Sequence, residues 1–236
     1  MRYRVKRKST FEKWKAKNHS SRRYAHFDER VTLRTALGYV CDPKNVASHN
    51  FYPFIHFIIT NPKYSTKTKK VKHKDRKIYY SAHMDRYVYS YYAYLINEHY
   101  NKRLEVDGAD EALIGYRNNK HRISNITYAK RAFDFIKETE NCHVIIGDFK
   151  NFFDELDHKY LKARLIDLIG SGTLSKDFYA VYKNITKFTY WKLESLFALN
   201  NIKVNMKNPN SIKKSYDILN KKKRFYALAI SRIIKG

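Results

Sequence analysis

Between His83 and Tyr100, the side chains of Val88, Tyr91, Tyr92, Leu95, Ile96 and His99 recur at three- and four-residue spacing. That period sets them on one face of a helix, and a face so apolar must be covered by the rest of the chain. The same pattern predicts other helices. Ser124 is a good N-cap for one whose buried stripe is Ile126, Ala129, Phe133 and Ile136. Asp157 caps another, with Leu161, Leu165, Leu168 and Ile169 on one side and Gly170-Ser171-Gly172 closing it. Ser9 to Lys17 opens with a capping-box pattern, Ser9 with Glu12, and reads as a basic helix that either lies on a polyanion or is simply solvated. Asp28 to Val40, Ser175 to Lys192 and Ser211 to Ile234 are further helical stretches, with a polar loop from Asn200 to Asn210.

Strand signals are sparse. Phe51 to Ile55 is a compact apolar knot that belongs in a core, and Asn61-Pro62 breaks the chain after it. Residues 64 to 77 are dominated by Lys, Thr and Ser and read as a loop or an exposed hairpin, followed by a short strand at Ile78-Tyr79-Tyr80. Cys142 to Asp148 is a short apolar run ending in an acid, the pattern of a buried strand with a carboxylate at its carboxyl end. Helices come first and sparse strands then fall among helices, so the expected class is α+β.

Charge narrows the partner. Lys and Arg number 48 against 22 Asp and Glu, a formal net charge of +26. Such a surplus repels itself, and nucleic acid is the common polyanion that offsets it, because neutralised phosphates release condensed counterions. The 21 Tyr suit both base stacking and the packing of helix faces. Cys41 and Cys142 have no metal-ligand spacing and support neither a zinc site nor a disulfide framework. The basic start at Met1 has no apolar segment behind it, and the most apolar run, Phe54 to Ile59, is too short to span a bilayer. A cytoplasmic protein with no membrane partner is expected.

Chemistry concentrates in Val144 to Leu161. A carboxylate at a strand end beside a polyanion-binding surface suits magnesium, a hard cation that takes oxygen ligands and bridges to phosphates. Asp148 could equally cap the helix that follows.

The run Asp148-x-x-x-Phe152-Phe153-Asp154-x-x-Asp157-His158-x-x-Leu161 resembles the first palm motif of bacterial reverse transcriptases, closest to group II intron, retron and abortive-infection relatives. The resemblance implies a right-hand polymerase. In its terms, residues 1–70 form an N-terminal helical extension, 71–140 the fingers, and 141–236 the start of the palm. It makes Asp148 the catalytic metal ligand for Mg2+, with the Phe149 backbone carbonyl as a second ligand. Phe153 becomes the steric gate that selects deoxynucleotides. Ile114-Gly115-Tyr116-Arg117 ahead of Ser124 is similar to the second fingers motif, which implies that Arg117 holds the incoming triphosphate. Here Asn118 to Ile123 replaces the shorter glycine-containing stretch usual in the family. Arg76-Lys77-Ile78 followed by Asp85 is similar to the first fingers motif, which makes Arg76 a second triphosphate contact or, alternatively, a surface charge.

The implied reaction is RNA-directed DNA synthesis. An RNA template, a DNA or RNA primer and deoxynucleoside triphosphates are its partners. The two-metal mechanism needs further carboxylates, which the family draws from a Tyr-x-Asp-Asp hairpin. This sequence has no Asp-Asp pair, and no glutamine for the family's Pro-Gln-Gly motif. The chain is therefore expected to be a fragment, inactive alone, with a missing C-terminal half or a split partner. The alternative is a non-catalytic basic RNA-binding protein, and by analogy with solitary relatives a phage-defence component.

Overall fold

The computed structural model describes residues 7–17, 24–117, 124–139, 141–152, 154–206, 208 and 210–219. The described residues combine helices with one three-stranded sheet, the α+β class expected. Two compact units form: one takes residues 11–92 with 175 onward, the other 93–174 with the first ten residues. The expected boundary at residues 70 and 71 falls inside a paired hairpin, and that at 140 falls within the second unit.

The first unit is built on the sheet. Strand β1 (Phe54–Ser65) pairs antiparallel with β2 (Lys70–Tyr80) in unbroken register from Ile55↔Tyr80 to Ser65↔Lys70. At its other edge, Phe54, Ile55 and His56 pair in parallel with β3 (Tyr190–Lys192). Asn61-Pro62 does not break the chain as expected, because β1 runs straight through it. Beyond His56 β1 has a partner on one side only, and a proline is tolerated on such an edge. Ile55 is fully buried with Ala25, Phe27, Leu193, Leu196, Phe197, Ile202 and Leu219, and Phe57, Tyr80 and Trp191 pack against that cluster.

A second layer of packing is aromatic. Helix α4 (His83–Val106) buries Tyr87, Val88, Tyr91 and Tyr92 on the face anticipated from spacing. Helix α1 (Arg7–Lys17) seats Trp14 on it, edge-on to Tyr91 at 5.3 Å, with the indole N–H donating to Ser90 Oγ at 3.0 Å. Helix α1 is therefore docked through its aromatic side, which neither expectation for this helix included. Each such aromatic pair contributes on the order of 1 kcal/mol beyond burial of its area.

The second helix starts later than expected. It is α2 (Leu33–Cys41), whose cap is Thr32, its hydroxyl accepting from the Thr35 N–H at 3.3 Å. Asp28 is engaged elsewhere, by His83. Asp42 then caps α3 (Pro43–Ala47), which packs on α7 (Lys176–Thr186). The stretch expected as one helix from 175 to 192 divides into α7 and β3, and α8 (Leu193–Leu199) follows. Residues 210–219 are helical, and the remainder of the helix expected to 234 lies outside the described residues.

In this unit the Tyr92 hydroxyl donates to Asp177 Oδ2 at 2.6 Å, and Ser175 Oγ donates to Asp177 Oδ1. Asp177 is buried, so each lost donor leaves its carboxylate less compensated. Tyr92→Phe should cost about 2 kcal/mol in urea denaturation at neutral pH. A cost below about 0.5 kcal/mol would show that Asp177 does not depend on this bond.

Candidate functional site

The sequence-predicted site residues fall in both units, and each is described within its own. In the second unit, Asp107-Gly108 turns the chain out of α4 with Gly108 in the left-handed region, φ 67°. The loop that follows is fastened by Arg117, whose side chain is fully covered. Its Nε donates to Asn101 Oδ1 at 2.9 Å, and Nη1 donates to the carbonyls of Asp110 at 2.7 Å and Leu113 at 3.0 Å. Nη2 completes an ion pair with Asp110 Oδ1. Asn97 Nδ2 holds the carbonyl of Tyr116 at 2.8 Å, while the Tyr116 ring projects into solvent. Planar guanidinium geometry suits this set of inward acceptors as well as it suits a triphosphate. Residues 118–123 lie outside the described residues.

The apolar run carrying Asp148 is not the buried strand expected. Residues 142–149 form no ladder, with Ile145 94% and Ile146 92% exposed. The reason is partner supply: the sheet of the described residues belongs wholly to the first unit, so this run has no strand beside it to take its backbone groups. The expected buried stripe on α5 (Asn125–Thr139) is open for a related reason. Ile126 is 81% and Phe133 71% exposed, although Ser124 caps the helix as expected, its hydroxyl accepting from the Thr127 N–H at 3.3 Å.

After Asp148 the chain turns sharply. Phe149 faces Phe152 with ring centroids 6.0 Å apart, and Asn151 takes a positive φ of 52° while its carbonyl accepts the N–H groups of Asp154 and Glu155. Asp157 caps α6 (His158–Ile169), accepting from Lys159 N at 2.7 Å and Tyr160 N at 3.1 Å. Asp157 is thus a helix cap, and Asp148 is not one. Gly170, φ 71°, ends α6. Phe153 lies outside the described residues. Among the described residues no cluster of three or more His, Cys, Asp or Glu side chains is spaced to hold a metal, and Asp148 has no side-chain partner.

In the first unit, Arg76 sits on β2 opposite Ile59 and is exposed. The same unit holds two largely covered carboxylates that the sequence did not reveal, Asp85 fully buried and Asp28 with a side chain 10% exposed. Asp28 accepts from Met84 N at 3.2 Å and bonds His83 Nδ1 at 2.8 Å, with His26 Nδ1 at 3.5 Å. Asp85 accepts from Tyr52 N at 2.9 Å and bonds His49 Nε2 at 2.8 Å, and the other ring nitrogen of His49 meets the Tyr39 hydroxyl at 2.9 Å. Tyr24 stacks on His83 at 4.1 Å. Histidines 26, 49 and 83 are too scattered in sequence for any local motif to join them.

The two acids are driven in opposite directions. Burial works against the charge of Asp28, but the His83 hydrogen bond, the charges of His83 and His26 and the Met84 N–H outweigh it, so its carboxyl is held below the usual range. At Asp85 burial wins over His49 and the Tyr52 N–H, and its carboxyl is pushed up. Burial also raises the phenol of Tyr24 well above the ordinary range.

No protein-family model and no curated protein matches this chain.

Opposite pH signatures follow for the two acids. A depressed carboxyl contributes stability that is present above its unfolded value, about 3.9, and is lost as pH falls through the folded value. Asp28→Asn should therefore be most harmful near pH 7, with the difference from the parent shrinking on acidification. The raised carboxyl of Asp85 contributes stability present below about pH 3.9 and lost as pH rises through the folded value. The deficit of Asp85→Asn should grow on acidification. Thermal unfolding from neutral to acid pH at fixed ionic strength reads both, and parallel trends would sink the assignment. For the loop, Arg117→Lys cannot reproduce the fork of bonds and should cost about 2 kcal/mol locally. Amide hydrogen exchange across residues 107–117 should accelerate correspondingly, and unchanged protection would show that Arg117 does not fasten it.

Proposed function

We propose that this chain contributes to RNA-directed DNA synthesis as part of a reverse-transcriptase-like polymerase. The single observation that carries the reading is the spacing from Asp148 through Phe152-Phe153-Asp154 to Asp157-His158 and Leu161, with similar fingers stretches ahead of it in the same order. The local geometry is consistent with it. Asp157 begins a helix, Asn151 turns the chain, and the Asp148 carboxylate and Phe149 carbonyl are two oxygen donors on an open segment.

Those two groups fit part of a magnesium site, since magnesium commonly takes one or two carboxylates and leaves its other positions to water and substrate phosphates. Bound there, the metal would stabilise charge on the attacking and leaving oxygens of nucleotidyl transfer. Further carboxylates would come from a partner or from additional chain. In this scheme Asp148 positions the triphosphate end of the nucleotide, and the Phe153 ring excludes a ribose 2′-hydroxyl. Arg117 joins by exchanging the Asp110 carboxylate for a triphosphate, one anionic oxygen acceptor for another.

A specific observation favours a second reading, a non-catalytic RNA-binding protein: Asp148 stands in an exposed, unpaired segment rather than at a rigid strand end. Equilibrium binding separates the two. With a primer–template and Mg2+, the chain should bind the next deoxynucleoside triphosphate more tightly than the matching ribonucleotide. Phe153→Ala should erase that preference, and Asp148→Ala should weaken nucleotide binding roughly tenfold, on the order of the loss of one charge-assisted contact. Nucleic-acid binding that is indifferent to Mg2+, to Asp148 and to the sugar would establish the second reading.

A further inference from the structure

The register of the β1–β2 hairpin sorts its charges onto one face. Paired residues share a face of an antiparallel ribbon, and successive rungs alternate. One face begins in the core with Ile55/Tyr80 and Phe57/Ile78, and continues outward as Ile59/Arg76, Asn61/Lys74, Lys63/Lys72 and Ser65/Lys70. The other carries His56/Tyr79, Ile58/Lys77, Thr60/Asp75, Pro62/His73 and Tyr64/Val71. Arg76, Lys74, Lys72, Lys70 and Lys63 therefore form a cationic row that includes no acid. The ribbon's one carboxylate, Asp75, is on the opposite face, bonded to Thr60 Oγ1 at 2.5 Å.

Every residue of β2 from Lys70 to Lys77 is exposed. Among the described residues none of the five cations has an ion-pair partner. Lys63 and Lys72 are directly opposite each other, an arrangement that costs free energy in a sheet unless an anion lies over it. The rungs repeat at about 6.8 Å and span roughly 20 Å, too long for a single phosphate or nucleotide and suited to a polyanion.

We propose that this face is an arm that grips the sugar–phosphate backbone of a nucleic-acid duplex without reading its sequence. A two-stranded ribbon is narrow enough to enter a duplex groove. Asn61 and Ser65 are interleaved with the cations and supply hydrogen bonds of the kind made to phosphate. Outside its buried base, the face has no aromatic ring, and the stacking platform that single strands require is missing from it. The inference rests on charge and register and stands apart from the polymerase reading.

The test is fluorescence anisotropy on the full chain, with an RNA duplex, a DNA duplex of the same sequence and their single strands, over about 50 to 200 mM salt. Lys70→Gln/Lys72→Gln/Lys74→Gln removes three cations and leaves Arg76 and Asp148 in place. It should lower the salt slope of duplex binding by about two to three and the affinity on the order of a hundredfold at physiological salt. The opposite-face control, His73→Gln/Lys77→Gln, should change the slope by about one or less. All five positions are exposed, and circular dichroism confirms that each variant folds. Whichever duplex shows the larger effect identifies the source of the phosphates. Equal losses from the two faces, tighter binding to single strands than to duplexes, or face dependence seen only on phosphatidylserine vesicles would overturn the proposal. The salt slope of duplex binding reads the arm and discrimination between deoxy- and ribonucleotide reads the polymerase proposal, so failure of the one and failure of the other give different results.

Discussion

Burial of Ile55 fixes the first unit. It is paired with Tyr80 on one side and Trp191 on the other, so three segments distant in sequence meet at one residue. Phe54 N–H donates to the Thr189 carbonyl at 2.9 Å, which brings β3 to that edge. Because strand side chains alternate, seating Ile55 in the core determines the facing of every later residue of the hairpin. A slip of one residue would take Ile55, Phe57 and Tyr80 out of the cluster and turn the cationic row to the other side. The apolar base thus holds in place a charged surface that has no ion-pair partner among the described residues.

The second unit shows the converse. Val144-Ile145-Ile146 has strand composition, and the Ile126, Phe133 and Phe135 side chains of α5 are strongly apolar, yet all of them meet solvent. Composition sets a preference for burial and extended backbone, but a strand exists only where a neighbour takes its hydrogen bonds. Within residues 93–174 the inward polar bonds of Arg117 and the cap of α6 hold local structure without such a neighbour. This accounts for ordered turns and helix ends beside an unpaired apolar run.

What could be read from the sequence divides along the same line. The α4 face, the Asp157 cap and the Ser124 cap were legible because each depends on residues within one or two turns. Burial of the α5 stripe was not legible, because it needs something to pack against. The hairpin was hidden by its own composition: Lys70, Lys72, Lys74 and Arg76 alternate with Val71, His73 and Asp75 at strand period, but a Lys-rich stretch reads first as loop. The Asp28 and Asp85 networks could not be seen at all, since their partners come from positions as far apart as His26, His49 and His83. At the candidate site, the spacing and order of Asp148 and Arg117 were legible. It could not foretell that Arg117 is already engaged by Asp110.

The acids and the bases are used differently, and this turns a compositional surplus into a local one. Asp28, Asp85, Asp110 and Asp177 bond His, Arg and Tyr within the units. The lysines of β2 are exposed, with no such partners among the described residues. Salt screens charges over about 8 Å at physiological ionic strength, and successive rungs of the row lie about 6.8 Å apart. Each cation on that face is therefore within screening range of the next, and the row acts as one field. Cations scattered more widely act singly and are screened from each other. A net charge of +26 by itself predicts only a general attraction to polyanions. The strand register concentrates part of that charge on one narrow, unobstructed face, and that placement gives the attraction a direction.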